Sequence, residues 1–177
     1  MDTFAREIRE ITENSFFKDV YTCSHNDRKN GTIERVVGDT VLLCNYPDQY
    51  KKDTKVGFKW LNENGTIHDF NSVNDLLTRL TASVGDMVEA RLLFNSKHTH
   101  IFVAAFKAFS EMGRNDKEFG EFLHWFLKGG NDTEIDGKAW NALGIGRSTR
   151  DSGVVHAKID YLVALVEQYT KEIRKAA

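Results

Sequence analysis

The sequence predicts an α+β fold: a mostly antiparallel sheet of about six or seven strands with an N-terminal helix and one inserted helix, followed by a C-terminal helical hairpin or subdomain. Three observations lead there. Residues 19–109 hold short runs rich in Val, Ile, Thr, Tyr and Phe, separated by turn residues. Gly38-Asp39 and Asn64-Gly65 each stand between two such runs as two-residue hairpin signals. After Gly113 the apolar spacing becomes that of a helix and stays so.

The elements follow in order. Phe4, Ile8 and Ile11 fall at helical spacing behind Asp2, a candidate N-cap, which gives one short amphipathic helix. Residues 32–37 and 40–44 would form the first hairpin, and residues 55–61 and 66–70 the second. Val73, Leu76, Leu77 and Leu80 mark the inserted helix, opened by Ser72. Residues 87–94 and 100–108 would then pair across Asn95-Ser96-Lys97, the second being apolar on both faces and therefore central. Phe119, Phe122, Leu123 and Phe126 line one C-terminal helix and Gly129-Gly130 ends it; Lys138 to Leu143 suggests a short helix, and the last helix begins near Ser152. The organisation expected is an α+β domain over 1–112 with a helical subdomain over 113–177 packed on it as one unit.

The chain has 177 residues, 41% of them apolar and 11% aromatic, enough for a core without disulfides or a structural metal. Its charge is −2, and residues 1–110 and 111–177 each carry −1, so neither part is a basic lobe that would coat nucleic acid. The longest apolar runs, 101–106 and 161–166, are far shorter than the roughly 20 residues of a spanning helix. The start, with Asp2 and Glu7 and no apolar stretch, does not read as a signal peptide. A cytoplasmic protein that does not engage membranes is expected, with Cys23 and Cys44 as free thiols.

Chemistry is sparse. No nucleophile elbow, phosphate loop or dinucleotide fingerprint is present, and no cofactor is implied. Asp132, Glu134 and Asp136 alternate as a solvated loop would, without the rest of a calcium loop. The leading expectation is a non-enzymatic binding or regulatory protein whose partner is another protein or its own copy. Val155, Ile159, Leu162, Val166, Tyr169 and Ile173 form a heptad seam that either packs on Phe119 to Phe126 of the same chain or pairs with a second copy.

Two alternatives stand beside it. Residues 138–149, KAWNALGIGRST, resemble the middle of a helix-turn-helix, which implies nucleic-acid contacts from Arg147, Ser148, Arg150 and Lys158. Trp140 stands where that motif takes a small residue and Arg150 where it takes an apolar one, and the other reading of these residues is a plain loop capped by Ser148 or Ser152. Lys51, Lys52, Lys55 and Lys59 make the densest basic stretch in the chain, a second place for nucleic acid. The last alternative is a small metal-dependent hydrolase or transferase with His68, His98 and His100 as ligands, the latter two on one face if they lie in a strand.

Overall fold

The computed structural model describes residues 3–176 and is all-helical, which corrects the expected sheet. Asp2, the expected N-cap, lies outside the described residues. The main helices are α1 (Ala5–Thr12), α2 (Phe16–Asp19), α3 (His25–Lys29), α4 (Thr32–Asn45), α5 (Thr54–Asn64), α6 (Ile67–Val84), α7 (Thr99–Glu111), α8 (Asp116–Leu127) and α9 (Ser152–Gln168). The chain continues from α9 through a π-turn, Tyr169–Ile173. Among the described residues the only β-type pairing is a bridge between Ile135 and Lys138.

The predicted strands at 32–37, 40–44, 55–61, 66–70 and 100–108 fall in helices α4, α5, α6 and α7, and for α4 and α7 the reason is burial. Residues 32–37 and 40–44 are one continuous helix, α4, in which every residue from Val36 to Cys44 is buried. A helix covered on all sides loses the 3.6-residue stripe, and its unbroken apolar run reads like a buried strand. Gly38-Asp39 is no hairpin turn. Gly38 is where Phe58 of α5 lies against α4, so close that a Cβ there would collide with the ring. Asn64-Gly65 does break the chain, but Gly65 is extended (φ −73°, ψ 166°) and separates α5 from α6. Thr66 then opens α6 with a capping box: its hydroxyl accepts from Asp69 N at 3.3 Å while the Asp69 carboxylate accepts from Thr66 N at 2.8 Å. The inserted helix therefore starts at Ile67, not Ser72. Residues 88–92 form a 3₁₀ turn, and residues 100–108 form most of α7, whose buried run again hides the period.

The remaining elements follow the periodicity. Phe4, Ile8 and Ile11 are buried from α1, and Phe119, Phe122, Leu123 and Phe126 from α8. One contiguous core runs from Phe4 to Tyr169, with α7 between α4 and α9. A second junction holds α6 to α8: Arg79 grips Asp116 in two bonds of 2.9 and 2.7 Å and donates to Ser110 Oγ at 3.0 Å. No described helix is long and apolar enough to cross a membrane.

Candidate functional site

The most unusual chemistry lies where α4, the segment leading to Tyr50, the N-terminus of α7, the loop before α9 and α9 itself converge. One helical turn along α4 brings Arg35 to Asp39, which is 1% exposed, at 2.9 Å. Arg150, from the loop, approaches the same oxygen at 3.5 Å. The Tyr50 hydroxyl donates to the Arg150 carbonyl at 3.1 Å, and Arg35 also donates to the Ser96 carbonyl at 3.2 Å. Burial pushes the Asp39 carboxyl up to about 6 against the opposing pull of Arg150 and Arg35, and its Oδ1 has no partner among the described residues.

Beside this lies a buried cluster of aromatic rings, imidazoles and an ammonium. The fully buried His100 ring stacks on Tyr50 with centroids 6.2 Å apart, and neither ring nitrogen has a hydrogen-bond partner among the described residues. Lys158 of α9 places Nζ 3.3 Å from His98 Nε2 and 5.1 Å from the centre of the Trp140 ring. An ammonium has only donors, so His98 Nε2 accepts. Burial, with Lys158 and Lys97 adding to it, lowers His98 to about 4. Burial lowers His100 to about 3, reinforced by Arg35, His98, Arg150 and Lys158. Both imidazoles are therefore neutral near pH 7. Burial also lowers the Lys158 ammonium, with Lys97 contributing.

The structure brings together basic residues that lie far apart in the chain. Arg150 donates to the Lys52 carbonyl at 3.2 Å, while Asp151 receives Lys52 at 3.2 Å and Arg147 at 3.4 Å. The Lys52 hydrogen bond, with help from Arg147, holds the Asp151 carboxyl below its usual range. Ser148 faces inward to the loop, its Oγ accepting from Arg150 N at 3.2 Å. Lys51, Lys55 and Lys59 are exposed and make no ion pair among the described residues. Arg35, Lys55, Phe58, Lys59 and Asn62 line an open cavity of about 570 Å³ next to this face.

The segment resembling a helix-turn-helix does not form one. Residues 140–142 make a single 3₁₀ turn, Gly144 and Gly146 take left-handed φ of 75° and 77°, and no helix begins before Ser152. Lys158 is buried against His98 and Trp140 instead of reaching out to solvent.

The proposed zinc ligands do not meet either. His68 is exposed on α6, and the described residues contain no cluster of three His, Cys, Asp or Glu able to hold a metal. His98 and His100 sit at the start of a helix, where residues two apart diverge, so the shared face of a strand is lost. Cys44 is buried, its thiol pushed up to about 12 by burial, and Cys23 is a second free thiol.

The heptad seam is turned into the chain's own core. Val155, Leu162 and Val166 are fully buried, Tyr169 packs on Trp125 at 5.1 Å and Phe122 at 5.7 Å, and Ile159 and Ile173 are partly buried against the same cluster.

Comparison with family models, curated proteins and solved structures finds no match.

Sequence reasoning passed over Arg35, Asp39 and Tyr50. The signal for the first two was their spacing of four, which only a helix turns into an ion pair. Dividing the run at Gly38-Asp39 hid it.

Proposed function

We propose that the chain is a binding protein that takes the phosphate backbone of a nucleic acid on the face formed by Lys51, Lys52, Lys55, Lys59, Arg147 and Arg150. The observation that carries this reading is the contact of Arg150 with the Lys52 carbonyl, which joins the two basic stretches into one surface. With a net charge of −2 the molecule as a whole does not attract polyanions, so binding is local and involves few phosphates. Three or four contacts correspond to a slope of log affinity on log salt of roughly −3. Residues 140–142 form only a 3₁₀ turn, so Arg147 and Arg150 come from a loop and not from a recognition helix, which favours backbone contact over base reading.

Fluorescence anisotropy with labelled duplex DNA, single-stranded DNA and RNA at two salt concentrations tests the reading. Binding that weakens with salt and falls at least several-fold in Lys55→Ala/Lys59→Ala supports it. Absence of binding to every probe at low salt retires it.

A protein partner is the second reading. It is favoured by a groove of about 850 Å³ along α8, lined by Met87, His124, Trp125, Tyr169 and Ile173 and by none of the residues of the basic face. Affinity capture followed by competition with Trp125→Ala separates the two readings, because that substitution leaves the basic face intact.

A further inference from the structure

We propose that the turn at 86–92 of one copy of the chain docks in the groove along α8 of a second copy, and that the reciprocal contact closes a symmetric dimer. The proposal rests on the second reading above, that a protein fills this groove, and names that protein.

The groove is the first half of the argument. Met87, Trp125, Tyr169 and Ile173 give it an apolar lining, and Lys117 and Lys128 of α8 and its C-terminal end line it as well. Glu121 and Arg174, also in the lining, hold each other at 2.7 Å and cancel. The other ion pairs of α8 use Asp116 and Glu118, so Lys117 and Lys128 stay unpaired among the described residues. They stand about three helical turns apart, on one stripe of α8, and put a free cation towards each end of the groove. Such a groove suits an apolar anchor flanked by carboxylates.

The turn is the second half. In the 3₁₀ turn Val88–Leu92, Ala90 is buried while Val88 and Leu92 are 74% and 73% exposed. One side of the turn is thus fixed to the molecule, and two branched apolar side chains stand out in solvent. Residues three apart eclipse in a 3₁₀ turn, which sets Leu92 in line with Glu89. Asp86 and Glu89 bring two carboxylates against the single cation of Arg91, and neither makes an ion pair among the described residues. The turn is therefore an apolar anchor with acidic flanks.

Contiguity joins the halves. A two-fold dimer needs one continuous patch that complements itself. Met87 belongs to both parts: it lines the groove and immediately precedes the turn, which packs against α8. Anchor and groove lie side by side on each copy, so one rotation sets both against their counterparts. The occupant is assigned to a second copy because this chain carries both halves of the match.

Sedimentation of the full chain up to about 500 μM tests the proposal, with a reversible dimer of Kd about 100 μM or tighter expected. Rising salt should weaken it. Leu92→Asp should raise the Kd at least about tenfold with an unchanged circular dichroism spectrum, since the side chain is exposed. Lys117→Glu/Lys128→Glu and Asp86→Lys/Glu89→Lys should each be monomeric alone. Mixed, they should form a one-to-one heterodimer, recognised by native mass spectrometry, because opposite charges then meet at both contacts. A wild type that stays monomeric, a dimer indifferent to Leu92→Asp, or charge variants that do not pair on mixing overturns the proposal. If a charge variant does not fold, the wild type and Leu92→Asp decide it. A monomeric wild type that captures a different protein through Trp125 keeps the broader reading and rejects the second copy as occupant.

Discussion

The Arg150 guanidinium lies 3.5 Å from the buried carboxylate of Asp39, so the loop before α9 is fastened to the middle of α4. The same side chain reaches the Lys52 carbonyl at 3.2 Å. Arg150→Ala removes both contacts and leaves Asp39 to Arg35 alone, at an expected cost of about 1 to 3 kcal/mol. Urea denaturation measures it. Arg150→Lys should restore little, because a single ammonium does not reproduce the guanidinium fork. Wild-type stability in Arg150→Ala would mean that the fastening holds nothing.

Acid should destabilise the fold. Folding lowers His98 to about 4 and His100 to about 3 from the ordinary 6.5, so below pH 6.5 the unfolded chain binds protons that the folded chain refuses. Asp39 acts in the other direction: raised from 3.8 to about 6, it keeps its proton in the folded chain and adds stability as pH falls through 6. Two imidazoles outweigh one carboxyl, and the net loss between pH 6.5 and 4 is on the order of a few kcal/mol. Chemical denaturation across that window should show His100→Phe with a flatter profile than wild type and Asp39→Asn with a steeper one. A wild-type profile that does not fall contradicts the assignment.

The contact of Gly38 with Phe58 sets the spacing of α4 and α5. Gly38→Ala should cost about 1 to 3 kcal/mol through overpacking, despite the higher helix propensity of alanine. Adding Phe58→Leu should return part of that loss, giving a coupling that a double-mutant cycle detects. Independent, additive effects would show that the ring moves aside freely.

Leu162 has no exposed surface. Leu162→Glu places a carboxylate in the core and should unfold the chain or lower its stability by about 4 kcal/mol or more. Leu162→Ala should cost about 2 to 5 kcal/mol. Thermal unfolding with sedimentation distinguishes this from a subunit contact: a well-folded monomeric Leu162→Glu variant would return the seam to the surface.

Legibility from sequence followed exposure. α1, α8 and α9 each keep a solvent-facing side, and their apolar stripes predict them. α4 and α7 lie at the centre, and their unbroken runs carry no period that separates helix from buried strand. Local chemistry supplied better clues than residue preference. Thr66 and Asp69 announce a helix start, as do Ser24 and Asp27 before α3. The tight turn that does form uses Asp136-Gly137, both with positive φ, closing the Ile135–Lys138 bridge. The basic residues of the candidate face were identifiable by type and density. Their union was not, because Lys52 and Arg150 meet only through tertiary packing.

The enclosure of α7 has a further consequence. From Thr99 to Phe106, and again at Phe109, its residues are out of reach of solvent, with α4 on one side and α9 on the other. The amides of those buried residues can meet deuterium only when the neighbours separate, so exchange along 99–106 serves as a clock for the opening of the entire molecule.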